Sequence, residues 1–414
     1  MRLSEEEVAM SRGRDGAAMR WAIQSQVQVG QALGAERFVE VSGAHMTADM
    51  EVLGRPGLDF IRRLADGGAV VRVPTTTNAR CVDFRAAARL RQDAAMVRDE
   101  HELMRLLASM DVMLTDTCVN YQSVCQPTFG DHVAWGDTGT VIYANSVFGA
   151  RSNYESGPAA LAAGITGRTP DYGFHRLERR RGTVRVRLDV APSDLADWGA
   201  IGGVVGRQVN DYWEVPVFVG GPQAVSGDAL KHLGAALASY GSLAMFHMVG
   251  VTPEAADEAT AFQGSEPAAE ILVDRASVDG MFQSYPLAGV RADVVVMSGP
   301  QLSPFELRNA AELMEGHVVH PATTFVVTTN VQNLQLATEL GYVSKLQDAG
   351  VLVLSGTCFY LMGLPAMRQA FEWRTLVTNS AKLANIVGGY GLEAAFRRTE
   401  ACVQAAITGK VPLA

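Results

Sequence analysis

Residues 293–301 read Asp-Val-Val-Val-Met-Ser-Gly-Pro-Gln, an apolar run that ends in a loop of small and polar residues. Residues 351–358 repeat the arrangement as Val-Leu-Val-Leu-Ser-Gly-Thr-Cys. Continuous runs of Val and Leu are typical of parallel strands buried on both faces. Similar apolar runs followed by polar loops occur at 37–41, 69–73, 111–114, 245–249 and 324–328.

Helical patterns lie between several of these runs, at 17–33, 84–108, 303–316 and 332–348. Strands that alternate with helices predict an α/β fold with several parallel-sheet layers. Ligands of such sheets bind beyond the carboxyl ends of the strands. We therefore expect the polar loops after the strands to form the active site.

Segment 183–190 alternates strictly between polar and apolar residues, which predicts a half-exposed, antiparallel strand. Residues 198–221 are rich in Gly. Together they predict a small inserted region at 176–225. The chain is then divided into an α/β domain at 1–175, this insertion, and a second α/β domain at 226–414.

Composition restricts the class of protein. The chain has 414 residues, 48% of them hydrophobic, and a formal net charge of −9. An acidic protein without a dominant basic surface is not expected to bind nucleic acid or an anionic membrane. The charge-free stretch 233–251 contains His247 and Tyr240, so we interpret it as a buried helix and strand rather than a membrane span.

The N-terminus lacks a secretory pattern, which predicts a cytoplasmic protein. The chain has five Cys, and a long cytoplasmic chain is not expected to hold structural disulfides. Each Cys is then a packed apolar residue, a nucleophile or a metal ligand.

A long polar stretch at 115–157 shows little helical or strand periodicity. Ordering such a loop has an entropic cost, which favours a functional role. Its side chains suit a small carboxylate, and Arg151 offers a bidentate fork. The candidate substrate-binding residues in it are Asn145, Ser146, Arg151, Ser152 and Asn153. The alternative is a surface loop capped by its own side chains.

Thr378-Asn379-Ser380-Ala381-Lys382 follows the apolar pair Leu376-Val377. Asn379 and Ser380 are good helix N-caps. A helix N-terminus also attracts anions, and Lys382 adds a positive charge there. From the sequence alone, plain capping and an anion site fit equally well.

Cys118 and Cys358 each follow a predicted strand and lie in a polar loop. Such loops can supply the N–H groups that stabilise iron-bound thiolates. The chain has no C-x-x-C pair, and Cys118 to Cys125 is the only local spacing. Taken alone, each Cys is more readily explained as a buried apolar residue, and Cys402 lies in a helical pattern that favours core packing.

Several segments together resemble the catalytic large region of the aconitase X family, whose members are dehydratases distantly related to aconitase. The resemblance extends over about residues 36–410 and is carried by 115–122, 130–153, 157–175, 245–255, 356–362 and 377–386. It implies an aconitase-like fold and the removal of water from a small hydroxy acid.

The resemblance also implies a substrate and a partner. Bacterial members act on cis-3-hydroxy-L-proline and form a pyrroline-2-carboxylate, whereas archaeal members dehydrate mevalonate 5-phosphate. A separate small swivelling subunit of the same family is expected to complete the active site. A non-catalytic subunit that binds a small acid is a further alternative.

The family carries an iron–sulfur cluster on Cys ligands, and Cys118 and Cys358 match two of them. The motif 77–81, Thr-Asn-Ala-Arg-Cys, resembles the bacterial branch and offers Cys81 as the third, with Cys402 as the alternative. Loop 298–301 lacks the Cys of archaeal members, which favours the hydroxyproline branch. A 2Fe-2S cluster is favoured over 3Fe-4S or 4Fe-4S.

The reaction requires a base, stabilisation of enolate-like charge, and assistance to the leaving hydroxyl. The catalytic candidates are Lys382, Ser380, His45, His132 and Asp137. Lys382 is expected to bind an anion, or to act in acid–base chemistry if burial lowers its pKa. The substrate-binding candidates outside the long loop are Thr77, Asn78 and Asn379. We expect Cys81, Cys118 and Cys358 to surround one pocket, with Arg151 and Lys382 on its wall.

Overall fold

A computed structural model describes residues 1–413. The first part of the chain forms short strands among helices. Its elements are α1 (Glu5–Ser11), α2 (Ala17–Ala32), β1 (Phe38–Glu40), β2 (Ala44–Met46), α3 (Met50–Asp66), β3 (Thr75–Thr77), α4 (Ala94–Ser109), α5 (Asn120–Ser123), β4 (Ala134–Trp135), α6 (Thr138–Tyr143), α7 (Pro158–Thr166) and β5 (Arg168–Pro170). Strands β2, β3 and β4 form a parallel sheet in the order β3-β2-β4. Strands β1 and β5 pair antiparallel.

The second part contains β6 (Val184–Asp189), α8 (Leu195–Val209), β7 (Pro216–Gly220), α9 (Gly227–Gly241), β8 (His247–Met248), α10 (Glu258–Ala261), β9 (Ala269–Asp274) and α11 (Arg275–Gln283). Its strands form a sheet in the order β8-β7-β6-β9, and β6 is parallel to both of its neighbours. This sheet extends past residue 225, where we predicted the insertion to end. The domain limits stay a prediction.

The antiparallel pairing predicted for 183–190 is wrong. The alternation has another cause: Val184 and Val186 are buried in the same core cluster as residues of α8 and α9. On the opposite face, Arg185 and Arg187 pair with Glu270. A parallel sheet with one covered face therefore produces the pattern that we attributed to an antiparallel one.

The third part contains β10 (Val294–Leu302), α12 (Pro304–Leu313), β11 (Thr324–Thr329), α13 (Val331–Glu339), α14 (Tyr342–Asp348), β12 (Leu352–Ser355), α15 (Leu364–Phe371), β13 (Thr375–Thr378), α16 (Ala381–Val387), β14 (Glu393–Phe396) and α17 (Thr399–Thr408). Its parallel sheet has the order β12-β11-β10-β13-β14. Every residue of the central strand β10 is buried. Its first half is the predicted apolar run, whereas residues 298–301, which we predicted as a loop, belong to the same strand.

The predicted α/β architecture is confirmed, with some differences in individual elements. The polar residues Thr75–Thr77 form β3, whereas 69–73 is not a strand. Segment 111–114 contributes a single bridge, between Thr76 and Met113. The helix predicted from residue 84 begins at Ala94, where Asp93 provides the N-cap. No helix within residues 1–413 combines the length and apolar character needed to cross a bilayer.

A buried ion-pair cluster joins α9 to the start of α12. The ammonium of Lys231 lies 3.2 Å from the Asp228 carboxylate and also contacts Glu306. His232 Nε2 lies 2.8 Å from Glu306 Oε1. Burial opposes the charge of Glu306, but Lys231 and His232 lower the pKa of its carboxyl to about 2. The cluster connects the second and third parts at the carboxyl end of β10.

We predict that Lys231→Met lowers the free energy of unfolding by about 3–5 kcal/mol, because the substitution leaves Glu306 and Asp228 buried without their cation. Urea unfolding checks this. The matched control is Lys345→Met, which removes an exposed pair with Glu315 and should cost less than about 1 kcal/mol. Equal losses in the two variants would contradict the assignment.

Glu155 makes stability depend on pH. Burial raises the pKa of its carboxyl to about 7, although Thr169 donates a hydrogen bond to it. The folded state therefore favours the protonated acid. The stabilisation is complete below the ordinary glutamate pKa and is lost as the pH rises through about 7.

We expect Glu155→Gln to remove this dependence, because the amide keeps an oxygen acceptor for Thr169 and cannot ionise. Between pH 5 and pH 8 the wild-type chain should lose about 3 kcal/mol of stability relative to the variant. Urea midpoints at the two pH values measure the difference, and parallel curves for the two proteins would refute it.

Candidate active site

Polar residues collect where the carboxyl ends of two parallel sheets meet. Asn78 follows β3, Asp137 follows β4, and Lys382 lies in the first turn of α16 after β13. The two sheets are joined here, because the backbone of Arg80 pairs with that of Thr357 in a parallel bridge. These residues therefore converge at the strand ends, where the sequence predicted the active site.

Asp137 caps α6 and faces the site. Its Oδ2 accepts hydrogen bonds from the backbone N–H groups of Gly139 at 2.9 Å and Thr140 at 3.3 Å. Its Oδ1 accepts from Asn78 Nδ2 at 3.4 Å. Helix capping thus fixes the direction of the carboxylate.

Lys382 is buried, and its ammonium donates to Thr138 Oγ1 at 3.4 Å. Burial alone disfavours its charge. The negative charge of Asp137 outweighs that effect, with smaller contributions from Cys118 and Cys358 when these thiols are ionised, and the pKa of Lys382 rises above its usual value. The condition that we set for acid–base chemistry, a pKa lowered by burial, is therefore not met, and Lys382 remains a cation suited to binding an anion.

Ser380 and Asn379, which precede Lys382, are engaged in the fold. Ser380 Oγ accepts from Leu383 N at 3.1 Å, as an N-cap does, and donates to the Gly299 carbonyl at 2.5 Å. Asn379 Nδ2 donates to Thr399 Oγ1 at 3.2 Å. The capping interpretation is confirmed, and it also aims the start of α16 at the site.

His45 is fully buried in β2. Its Nδ1 lies 2.7 Å from Thr76 Oγ1, while its Nε2 has no hydrogen-bond partner. Burial lowers the pKa of His45 to about 4, although the Asp137 charge opposes the shift. The ring is therefore neutral at pH 7, with one nitrogen free to meet a ligand or water.

Cys118 and Cys358 are both buried beside these groups. Burial and the Asp137 charge raise the pKa of Cys118 to about 11, while Lys382 opposes the shift. Burial and the Cys118 charge raise the pKa of Cys358, and Lys382 again opposes.

Hydrogen bonds of residues 298–301 bring these groups together. Gln301 N donates to Cys118 Sγ at 3.4 Å, and Ser298 Oγ accepts from the N–H of Phe359, next to Cys358, at 3.4 Å. The Gly299 carbonyl accepts from Ser380 Oγ, two residues before Lys382.

Cys81 has different neighbours. Its backbone N–H donates to Glu100 Oε1 at 3.1 Å, and burial together with the charges of Glu100 and Asp49 raises the pKa of its thiol. Carboxylates next to a sulfur disfavour the thiolate that metal binding requires. Within residues 1–413, no three or more His, Cys, Asp or Glu side chains are arranged to hold a metal ion. The gathering of the three sulfurs around one group stays a prediction. Cys358 N donates to the carbonyl of Arg80, the residue before Cys81, at 3.4 Å.

The alternative third ligand, Cys402, is not at the site either. It is buried in the core of the third part, among residues of β10, α12 and α17. Its thiol lies 3.5 Å from the Arg397 carbonyl.

Several buried polar atoms near the two thiols have no hydrogen-bond partner. They are His45 Nε2, Asn78 Oδ1, both side-chain polar atoms of Asn120, and Thr357 Oγ1. Buried polar groups are normally paired, so such a set is expected to meet a bound molecule or water. The two thiols and these unpaired atoms fit part of the lining of one bound group. The third ligand, proposed as Cys81, is not among them.

Arg151 and His132 lie at the other end of the sheet. His132 precedes β4 and forms a backbone bridge with Arg151, whereas Asp137 follows β4. An extended chain from residue 132 to 137 spans roughly 16 Å, at about 3.3 Å per residue. From the sequence we expected Arg151 on the pocket wall beside Lys382. The structure places it at the opposite end of β4 instead.

At that end, Arg151 and His132 line a cavity of about 530 Å³ with Arg37 and His175. His132 Nδ1 lies 2.8 Å from His175 Nδ1, and Arg151 donates to the His175 carbonyl at 3.4 Å. His132 and Arg151 thus interact with a residue of this separate cavity, His175, rather than with Lys382 or the thiols.

The other residues predicted to grip a carboxylate are used by the fold. The Asn145 side chain donates to the Ser152 carbonyl and accepts from the Ser152 N–H, and it also donates to the Ala244 carbonyl. Ser146 Oγ accepts from Phe246 N at 2.9 Å. Asn153 bonds to the backbone of 172–174. All four residues are buried, and they hold the stretch to itself and to residues 172–174 and 244–246. The alternative of a surface loop is therefore wrong, and the binding of a carboxylate by these residues stays a prediction.

Thr77 also has a positioning role. Its hydroxyl donates to Asp116 Oδ1 and accepts from the backbone N–H groups of Thr115 and Asp116 at 3.1–3.2 Å. This fixes the loop that carries Cys118.

Tyr360 and Gln301 are site residues that sequence reasoning missed. Tyr360 lowers the pKa of the Cys358 thiol, against the larger effect of burial. Gln301 N donates to Cys118 Sγ at 3.4 Å. For Tyr360 the available signal was its position two residues after Cys358. Gln301 belongs to the polar run 298–301, which the sequence placed in a loop and the structure includes in β10.

The fold and the site together define an α/β protein with two thiols, a cation and a carboxylate at the meeting of two sheets. Family models describe the chain as the first domain of aconitase X at residues 1–178, the second at 182–283 and the third at 292–408. The chain belongs to the aconitase X family.

Relatives agree with this assignment. The phosphomevalonate dehydratase large subunit of Methanothermobacter thermautotrophicus is 33% identical over 95% of this chain and 96% of its own. Cis-3-hydroxy-L-proline dehydratase of Pseudomonas aeruginosa is 33% identical over 99% of this chain and 71% of its own. The crystal structure of Thermococcus kodakaraensis aconitase X in its holo-form superimposes with a TM-score of 0.87, at 28% identity, over 98% of this chain and 100% of that one.

The chain is accordingly a dehydratase, a hydro-lyase of this family. Relationship to aconitase suggests an iron–sulfur cluster. The resemblance of the sequence segments predicted both the hydro-lyase activity and an iron–sulfur cluster. The comparisons support the activity, and they support a cluster without specifying its type.

We predict that Lys382→Met lowers kcat for dehydration by about 100- to 1000-fold, because it removes the buried cation of the site whose hydrogen-bond partner is a hydroxyl rather than a carboxylate. Arg151→Met serves as the comparison, since its guanidinium lies at the opposite end of β4, and its kcat should stay within about threefold of wild type. Steady-state kinetics with unfolding midpoints for both variants decide the matter. A larger loss for Arg151→Met than for Lys382→Met would reverse the placement of the site.

Proposed function

We propose that this chain is the large subunit of a two-subunit dehydratase that converts cis-3-hydroxy-L-proline to a pyrroline-2-carboxylate. The observation that carries the chemistry is that residues 298–301 hydrogen-bond to the loops of Cys118 and Cys358 and to the start of α16. Asp137 and Lys382 both lie beside Gly139 at this place. Removal of a proton from the carbon next to the substrate's carboxyl group requires a base and a positive charge that stabilises the anion formed. Asp137 and the buried Lys382 offer these two groups.

A separate small subunit is part of the proposal. The Pseudomonas aeruginosa relative is longer, and this chain matches 71% of it. The Methanothermobacter thermautotrophicus relative has nearly the same length as this chain and is named a large subunit. We infer that this chain works with a small swivelling subunit that supplies what the longer relative carries in one chain.

Two substrates compete. The full-length match to a phosphomevalonate dehydratase large subunit favours mevalonate 5-phosphate. Loop 298–301 reads Ser-Gly-Pro-Gln and resembles the hydroxyproline branch. The site also favours a compact acid over a phosphate ester, because two lysines act on Cys118 and one of them, Lys231, is already paired with Asp228 and Glu306. We therefore give priority to the hydroxyproline.

In the proposed mechanism, Lys382 binds the substrate carboxylate and stabilises the negative charge that develops on it. Asp137 takes the proton from the adjacent carbon, and the electron pair left behind forms the double bond as the hydroxyl departs. Transfer of that proton to the departing hydroxyl releases water and returns Asp137 to its starting form. His45 Nε2 and Asn78 Oδ1, which lack partners in the protein, would orient the substrate's polar groups.

Cys118 and Cys358 would hold an iron–sulfur cluster, with 2Fe-2S as the proposed type. When bound, such a cluster supplies a Lewis acid for the leaving hydroxyl. The third ligand proposed from the sequence is Cys81, whose backbone N–H is held by Glu100.

We expect the chain, purified without oxygen together with its small subunit, to show visible absorption from iron–thiolate bonds and to dehydrate cis-3-hydroxy-L-proline. Mevalonate 5-phosphate is the competing substrate in the same assay. Cys118→Ser and Cys358→Ser should lose both iron and activity, whereas Cys402→Ser, the matched control in the core, should keep both.

Turnover of mevalonate 5-phosphate alone would replace the substrate and leave the hydro-lyase assignment in place. Full activity in an iron-free preparation would refute the proposed cluster. Tight binding of the hydroxyproline without any turnover would favour a non-catalytic binding subunit.

A further inference from the structure

Gln301 lies fully buried in β10, and its side chain touches both loops that carry the site thiols. Its Oε1 accepts from Thr117 Oγ1 at 2.8 Å and from Cys118 N at 3.3 Å. Its Nε2 donates to the carbonyls of Asp116 at 3.3 Å and Thr357 at 3.1 Å. One amide therefore binds the residues next to Cys118 and the residue next to Cys358.

The backbone of Gln301 continues this contact. Its N–H donates to Cys118 Sγ at 3.4 Å, which stabilises negative charge on that sulfur. Its carbonyl accepts from Lys231 Nζ at 3.2 Å. Lys231 is held in turn by Asp228 and Glu306, so Gln301 is anchored to the second part of the chain as well.

We propose that Gln301 is a positioning residue that sets the separation of the Cys118 and Cys358 sulfurs, so that one bound group can engage both. The inference deepens the proposed function and rests on it only in taking these two thiols as the ones that matter. It does not depend on which acid is dehydrated.

The chemistry of the side chain explains why an amide occupies this position. An amide offers an acceptor and two donors at one end of the side chain. A carboxylate would keep the acceptor for Thr117 and place like-charged oxygens against the carbonyls of Asp116 and Thr357. An apolar residue would leave all of these buried groups unpaired, at a cost for each.

The first experiment tests the thiols directly, on the full-length large subunit after removal of iron with a chelator and a reductant. The probe is phenylarsine oxide, whose arsenic bonds to two nearby sulfurs while its oxygen leaves with the two thiol protons as water. Mass spectrometry of the digested protein should find Cys118 and Cys358 bridged in the wild-type chain. Gln301→Met should lose most of this bridge.

Gln301→Asn is the second variant, because it keeps the amide on a side chain that is too short to reach both loops. The matched control is Gln26→Met, which removes another buried glutamine that bonds to the Arg168 carbonyl. Its bridge should equal that of wild type at a comparable loss of stability. Absence of the bridge in the wild-type chain, or full bridging in a folded Gln301 variant, would overturn the proposal.

The second experiment uses the two-subunit enzyme. Gln301→Met should lower kcat by about 100-fold, the effect expected of a displaced catalytic group, and leave KM within about twofold. Its visible spectrum should change, whereas that of Gln26→Met should not. Unchanged kcat and spectrum would contradict the inference. A wild-type enzyme that forms the bridge but dehydrates neither substrate would contradict the proposed function and leave the role of Gln301 standing.

Discussion

The site depends on a positive charge that is held inside the protein. Lys382 is buried where two parallel sheets meet, and its ammonium has a hydroxyl, but no paired carboxylate, as its hydrogen-bond partner. An isolated buried charge is costly. Asp137 and the two thiols offset that cost and raise the pKa of Lys382. Because each of these groups stabilises the charge of another, the cation, the carboxylate and the sulfurs must be kept together by the fold.

The fold achieves this through the common direction of its strands. Parallel strands bring their carboxyl ends to one edge, so residues far apart in sequence reach the same place. The apolar runs of β10, β11 and β12 made the third-part sheet predictable. Cys358 follows β12 as predicted, whereas His45, predicted in a loop after residues 37–41, lies inside β2. Asp137 follows β4, a two-residue strand that the sequence did not indicate.

Other parts of the site could not be read from the sequence. His132 and Asp137 belong to one polar stretch, but two strand residues between them send them to opposite ends of a sheet. The polar loop at 145–153 has the composition of a carboxylate site, yet its side chains bind its own backbone. Composition does not reveal which partner a polar group finds. The role of Gln301 could not be predicted for a similar reason, because its hydrogen-bond partners lie more than fifty residues away in the sequence.

The central claim is that Cys118, Cys358, Lys382 and Asp137 form the reaction centre. A crystal structure of the oxygen-free two-subunit enzyme, with iron located by anomalous scattering, tests it most directly. The account predicts iron bonded to the sulfurs of Cys118 and Cys358, with the Lys382 ammonium beside it. Iron bound elsewhere, or these two sulfurs free while the enzyme is active, would contradict it.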